Sequence, residues 1–382
     1  MMVALYKGED SRSDPNNYRM ITLMPVVAKL FEKVLDDRIR KWGERMGLLS
    51  DLQGGFREER CTVDQLFILQ EITAHRSEKN LSSFLTFVDV RKAYDRVWRP
   101  GLWFKLGQVG LGSRICKMIR TMYDKVVRKI LVNGRMTDEF EVHAGVPQGA
   151  VLSPALYAIY IDGLHKALRE AGLGVRIYGV LVPLLLYADD LVLLARSIED
   201  MMAMHAVVAD YARKWRFEIN HRKTKLVVTG AAGVMADRQA VRNQSWEFAG
   251  GVVELVDEYK YLGAEVGKTR GKWNSMLERI WQKASAGANL TLWRGGGAAG
   301  LRAKSFVTLW KAEVRPVLEY GAEVWDGDGV AQAWVDKLEK LQYSFGKAVL
   351  GIKGNAAAAG IRAELGLPSL ELRRRKCKLQ HL

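Results

Sequence analysis

Cysteine is nearly absent from this chain. Cys61, Cys116 and Cys377 are the only three in 382 residues; they lie far apart, and no Cys-x-x-Cys pair occurs. That spacing encodes neither a zinc knuckle nor a disulfide framework, and it suits a reducing compartment. Also missing is any run of about 18 uncharged apolar residues, the length a membrane-spanning helix needs. The nearest approach, Val180 to Ala195, is broken by Pro183 and by Asp189 with Asp190. Met1 to Asp14 turns polar too soon for a secretory signal. Neither secretion nor a membrane location is expected, and nuclear and cytoplasmic residence stay equally open. No repeat recurs at the periods of solenoid arrays.

What is present is a core and a surplus of positive charge. A hydrophobic content of 48% in a chain of this length is enough for two or three subdomains. Lysine and arginine exceed the acids to give a formal net charge of +15. Such a surface favours a polyanion, nucleic acid first, although charge alone also fits a protein that is merely basic.

The apolar spacing locates the elements. Leu30, Phe31, Val34, Leu35 and Ile39 predict an amphipathic packing helix over 28–45, and Val63, Leu66, Phe67, Leu69 and Ile72 a second over 62–77, with Gln53 to Gly55 as a loop before it. The short apolar run 84–90 predicts a buried strand that ends at Asp89. Ser153-Pro154 predicts a helix start with serine as the cap and proline first inside. Two apolar strands, 180–186 and 191–195, bracket Tyr187-Ala188-Asp189-Asp190 and place both carboxylates at a hairpin tip, since a core would not hold them unpaired. Further on come a helix over 201–215, strands near 225–229 and 260–266, and helices over 273–292, 301–314 and 334–350 between glycine-rich joints.

Asp89, Asp189 and Asp190 have the character that phosphoryl transfer demands. Two divalent ions about 3.5 to 4 Å apart activate an attacking hydroxyl and steady the leaving oxygens, and Mg²⁺ wants hard oxygen ligands from only a few carboxylates. Tyr-x-Asp-Asp by itself is weak evidence, and its surroundings supply the specificity. Phe87-Val88-Asp89-Val90-Arg91-Lys92-Ala93-Tyr94-Asp95, then Gly145-Val146-Pro147-Gln148-Gly149 with Ser153-Pro154, then Tyr187-Ala188-Asp189-Asp190 resembles the ordered palm motifs of reverse transcriptases. Asn17-Tyr18-Arg19 with Ile21-Thr22-Leu23, Gln53 to Arg57, Asn220 to Lys225, Tyr259 to Gly263 and Tyr320 to Trp325 resemble the enzymes of non-LTR (LINE-type) retrotransposons, so the likeness covers almost the whole chain.

The resemblance implies an α+β right-hand polymerase: fingers over 1–85, a palm built on an antiparallel sheet with interleaved fingers elements over 86–266, and a helical thumb and C-terminal extension over 267–382. It implies an RNA-directed DNA polymerase that uses Mg²⁺, with Mn²⁺ as the alternative ion, and deoxynucleoside triphosphates, on an RNA template with a DNA primer or target DNA. Asp89 and Asp189 become metal ligands, with Asp190 either a third ligand or a group that tunes them. Tyr94 resembles the aromatic under the incoming sugar that leaves no room for a 2′-hydroxyl, and a core tyrosine is the other reading. Asp95 reads as a helix-start acid.

Gln148 is expected near the nascent base pair on a flexible glycine loop, Arg57 and Arg19 near the triphosphate or template, and Lys223 beside the departing pyrophosphate with Lys225 as its rival. Leu262-Gly263 resembles the turn under the primer end. Basic residues Lys272, Arg279, Lys283, Arg294, Arg302, Lys304 and Lys311, among Trp273, Trp281, Trp293 and Trp310, resemble a thumb whose tryptophans are core. Arg373 to Lys376 reads as a solvated basic end. No endonuclease or zinc-knuckle segment is visible, so the chain looks like a portion of such a protein; Met20 is a small irregularity in the first fingers motif. An inactive nucleic-acid-binding remnant and an RNA-directed RNA polymerase are the rivals, and Tyr94 speaks against the second.

Overall fold

A computed structural model describes residues 1–8, 11–132, 134–230, 234–267, 273–295, 300–326 and 330–381. Its centre is a five-stranded sheet in the order Leu184–Tyr187, Asp190–Ala195, Ser83–Asp89, Lys225–Thr229, Glu254–Leu255. The first four strands are antiparallel neighbours, and the short edge strand Glu254–Leu255 runs parallel to Lys225–Thr229, a departure from an all-antiparallel palm. Leu85, Val192, Leu193, Leu194, Val227 and Val228 are wholly buried, which requires cover on both faces of the sheet. The Ile198–Trp215 helix packs against the two central strands, and Thr62–Glu78 against Leu184–Tyr187. Within this core His205 Nε2 lies 2.9 Å from Thr86 Oγ1, and burial pushes the imidazole down to about 4, so the ring stays neutral.

A second sheet joins the chain start to a later segment. Met2–Tyr6 pairs antiparallel with Tyr18–Thr22 and parallel with Ile130–Val132, which in turn pairs with Arg135–Met136. The Val26–Arg45 helix follows, and here the expected packing face is wrong. Leu30, Phe31 and Val34 are exposed, while Leu35 and Ile39 are buried beside Glu32 and Asp36. Polar anchors set the roll of this helix: the Glu32 carboxylate accepts from the Val151 and Leu152 amides at 2.7 and 3.2 Å, and Asp36 accepts from Arg40 at 2.7 Å.

The start of the Ser153–Glu170 helix also differs from expectation: its N-cap is Leu152 and Ser153 already lies inside, and Glu32 accepts from the Val151 and Leu152 amides just ahead of the helix. Behind the palm, Lys105 is buried, sits 3.9 Å from the centre of the Trp215 ring and donates to Tyr211 Oη at 2.5 Å. Burial brings its ammonium down to about 7.

The C-terminal part is helical: Asn274–Gly295, Ala303–Leu309 continuing through a π-turn at Trp310–Val314 into Arg315–Glu319, then Gln332–Val349, Ala358–Leu365 and Leu370–His381. Trp310 and Phe345 meet at 4.5 Å in its core. Trp273 is buried and Trp281 half-buried as expected, but Trp293 is 77% exposed. Arg373 and Arg374 are not a solvated end, since they pair with Glu319 and Asp326 and Arg374 is buried. No helix among the described residues is long and apolar enough to cross a membrane.

Candidate active site

Strand register brings the three carboxylates to one end of the central sheet. Asp190 is the direct cross-strand partner of Asp89, and Tyr187 pairs with Asp190 across a two-residue turn of Ala188 and Asp189. The like charges act on one another. Burial lifts Asp189 above the usual carboxylate range and Asp89 adds to it, whereas Arg19 pulls the other way. Burial, then Asp189 and Asp89, pushes Asp190 up to about 6. Such a group disfavours full ionisation until a cation joins it. Among the described residues no three or more His, Cys, Asp or Glu side chains, Asp89, Asp189 and Asp190 included, form a group that could hold a metal ion by itself, so an ion here would need water and substrate oxygens as well. An open donor set of this kind fits Mg²⁺, which dehydrates reluctantly.

Asp89 and the turn that carries Asp189 are each held from behind. Asn220 Nδ2 donates to Asp89 Oδ2 at 2.8 Å, the Asn220 amide donates to the Asp89 carbonyl at 2.8 Å, and Thr224 Oγ1 accepts from the Asp89 amide at 3.2 Å. The Ala188 turn has φ +61°, a left-handed conformation that alanine avoids. Buried Gln53 stabilises it: Oε1 accepts from the Ala188 and Gly55 amides at 3.1 and 2.8 Å. Gly55 approaches so closely that a Cβ there would lie 2.2 Å from the Ala188 nitrogen. The Gln-Gly-Gly loop is thus the brace of the turn that carries Asp189.

Aromatic rings line the carboxylates. Tyr94 stacks on Tyr157 at 5.0 Å, and both hydroxyls are buried without a partner. Burial, then the nearby Asp189 charge, raises both phenols, which keeps them protonated. Tyr259 stacks on Phe87 at 4.4 Å and is pushed up to about 12 by burial and by Asp89 and Asp190. Tyr261 is buried within the field of Asp190. These two tyrosines come from the hairpin Glu258–Tyr261 and Ala264–Gly267, whose turn Leu262-Gly263 has both φ values positive.

The chain matches the family model described as reverse transcriptase (RNA-dependent DNA polymerase) over residues 7–266. The chain belongs to that family. Its curated relatives come from non-LTR retrotransposons. It is 26% identical to the probable RNA-directed DNA polymerase from transposon X-element of Drosophila melanogaster, over 91% of this chain and 37% of that protein. It is 25% identical to the RNA-directed DNA polymerase from mobile element jockey of Drosophila funebris, over 97% and 39%. A telomerase structure from Candida albicans in complex with a TWJ fragment of telomeric RNA overlays with TM-score 0.49 at 11% identity, covering 89% of this chain and 59% of that one. The chain therefore spans about two fifths of the length of these curated relatives.

Within this reverse transcriptase the remaining candidates divide. Arg19 is exposed and acts on Asp189. Gln148 donates to both Asp95 oxygens at 3.2 and 3.1 Å, and its carbonyl accepts from the Thr22 amide at 2.7 Å. The glycine loop is pinned rather than flexible, because Arg99 donates to the Gly145, Ala144 and Val142 carbonyls and Val146 bonds to the Tyr94 carbonyl. Arg57 departs most from expectation. Its guanidinium is bound bidentately by Glu44 at 2.8 and 2.7 Å and reaches the Ser50 and Gln53 carbonyls, so in this structure it holds the brace loop and not a phosphate.

Lys225 is paired with Glu254 at 2.6 Å, and Lys223 stands exposed on the Asn220–Thr224 turn. Asn220, Thr224, Gln53 and Tyr259 lie within the motifs without a role assigned there, and Tyr157 lies outside them. Their signal is long-range, since Asn220 meets Asp89 across 131 positions. On the thumb side, Tyr320 Oη donates to the Leu262 carbonyl at 2.5 Å and lies 3.2 Å from Thr62 Oγ1, while Arg279 pairs with Glu265. Lys283, Arg294, Arg302, Lys304 and Lys311 are exposed, and Lys272 lies outside the described residues.

Proposed function

We propose that the chain is an RNA-directed DNA polymerase that extends a primer 3′-hydroxyl on an RNA template with deoxynucleoside triphosphates, by two-metal phosphoryl transfer. The observation that carries this reading is the register that sets Asp190 opposite Asp89 with Asp189 in the adjoining turn. Asp89, Asp189 and Asp190 are the residues that would hold two Mg²⁺ ions, or Mn²⁺. When bound, such ions lower the pKa of the attacking hydroxyl and neutralise charge on the phosphates.

The chain's own residues do the rest. Asn220 holds the Asp89 carboxylate and Thr224 its backbone amide, and Gln53 and Gly55, steadied by Arg57, fix the turn that carries Asp189. Tyr94, stacked on Tyr157, is the ring that would lie under the incoming sugar and select against a 2′-hydroxyl, and the stacking that holds it in place supports this role. Gln148 is held by Asp95 for the nascent base pair. Arg19 contributes positive charge next to the carboxylates, and Lys223 offers a proton or a charge to departing pyrophosphate. Residues 1–85 serve as fingers, 86–266 as palm and 267–382 as thumb, with the exposed lysines and arginines of the thumb following phosphates of the duplex without reading sequence. The partners are an RNA template and a DNA primer or target DNA.

Primer extension on an RNA template, with deoxynucleotides and ribonucleotides offered separately and with and without Mg²⁺, tests the reading. Mg²⁺-dependent synthesis from deoxynucleotides alone is expected. Folded protein that binds primer–template and extends nothing would instead be an inactive remnant.

A further inference from the structure

We propose that the cavity between the Val26–Arg45 helix, the 55–58 segment and the Ser153–Glu170 helix binds a small amphipathic carboxylate, an apolar tail with an anionic head. Its occupancy slows the reaction through the turn that carries Asp189, and this second half rests on the polymerase reading. The cavity has a volume of about 510 Å³. Small organic ligands are held in pockets of about 300 to 1,000 Å³. Its floor is apolar, with Ile39, Ala155, Ala158 and Ile159 buried and Leu48 half-buried. Ala155 and Ala158 stand three positions apart on one helix face, and their short side chains leave the space open. An apolar void of this size forfeits contacts that an apolar ligand restores.

The rim selects the head group. Four cations line the cavity, Arg40, Lys41, Arg45 and Arg57, against two carboxylates, Glu44 and Glu58. Arg40 is met by Asp36 and Arg57 by Glu44, each at 2.7 Å. Lys41 and Arg45 are exposed, four positions apart on the same face of their helix, and the Arg45 Nε donates to the Lys41 carbonyl at 3.1 Å. An anionic head at the mouth meets this pair while the tail lies on the floor, and a guanidinium grips a carboxylate with two parallel N–H groups.

One wall of the cavity is the brace. Gly55, Phe56 and Arg57 line it, and the Gly55 backbone packs directly on the Ala188 nitrogen. The wall carries stored strain: Phe56 and Glu59 have φ of +60° and +57°, left-handed values that side chains disfavour, and Phe56 is 43% exposed at the mouth. A ligand that bears on Phe56 and Arg57 shifts the loop whose Gln53 holds the Ala188 amide. The carboxylates then move and nucleotide binding does not, so the effect falls on kcat.

The test titrates decanoate, decanol and decylamine, below micelle formation, into wild type, Ala158→Leu and the double variant Lys41→Glu/Arg45→Glu, by calorimetry. Decanoate should bind wild type at least about tenfold more tightly than decanol, the size of one charge-assisted hydrogen bond, and decylamine should bind more weakly than either. Ala158→Leu fills the floor and the double variant reverses the rim, so each should weaken decanoate at least about tenfold while thermal melting shows a folded chain. If Ala158→Leu does not fold, the exposed double variant decides alone. In wild type, bound decanoate should speed hydrogen exchange at the Ala188 amide and lower kcat about tenfold with nucleotide KM unchanged. No binding, equal binding of decanol, binding indifferent to the variants, or bound decanoate that leaves both kcat and exchange untouched would overturn the proposal. If the wild-type chain extends no primer, the polymerase reading fails separately, and calorimetry with Ala188 exchange still decides this one.

Discussion

Asn220 Nδ2 donates to Asp89 Oδ2 at 2.8 Å, so one oxygen of the first carboxylate is engaged by a neutral amide. Asn220→Ala frees the carboxylate to rotate. We expect a loss of about 10- to 100-fold in extension rate, the usual cost of removing a partner that orients a ligand. Asn220→Asp should do worse, because it replaces the amide donor with a second negative charge beside Asp89. Steady-state kinetics at several pH values checks both, and wild-type rates in Asn220→Ala would refute the role.

Gly55→Ala should abolish activity while leaving most of the fold in place. The added Cβ would meet the Ala188 backbone nitrogen at 2.2 Å and displace the turn that carries Asp189. A shift of about 1 Å at a reacting centre costs about 100-fold. Circular dichroism beside primer extension separates the two effects.

Tyr320→Phe removes a single hydroxyl from the junction of the thumb, the Leu262-Gly263 turn and the Thr62–Glu78 helix. The Leu262 carbonyl loses a donor, at about 1 kcal/mol of stability. If the Leu262-Gly263 turn supports the primer end, as its motif implies, extension from a mismatched primer end should fall further than from a matched one. Equal effects on both primers would mean the hydroxyl only stabilises the fold.

The pH dependence follows from Asp190. Its folded-state pKa, about 6, is above the ordinary 3.8, so the folded chain holds this proton more tightly than the unfolded one. The associated stability is fully present below about pH 4 and lost as pH rises through about 6. Without divalent ions, Asp190→Asn should therefore melt higher than wild type at pH 7.5, by about a degree or two given its solvent access. The difference should vanish at pH 4 and shrink when Mg²⁺ is added.

The architecture was legible where local pattern decides it. Val88 to Asp89, the Tyr187 to Asp190 hairpin and the Thr62–Glu78 helix carry their own periodicity and turn chemistry. Contacts between distant segments were not legible. Leu30, Phe31 and Val34 share a helical face that reads as core, yet Glu32 and Asp36 find partners that turn the opposite face inward. Arg57 has the chemistry of a phosphate clamp, but Glu44, 13 positions away, already fills its fork. The three aspartates needed only their motifs, whereas the groups that orient them, Asn220 and Gln53, act across 131 and 135 positions.

Primer extension by wild type and Asp189→Asn on one RNA template, with Mg²⁺ and deoxynucleotides, tests the central claim most directly. The substitution keeps the size and hydrogen-bonding reach of the side chain and removes its charge. DNA synthesis by wild type that falls by at least about a thousandfold in the variant is the predicted result, on the scale of losing one group that stabilises charge in a transition state. Equal synthesis by the two proteins would contradict it.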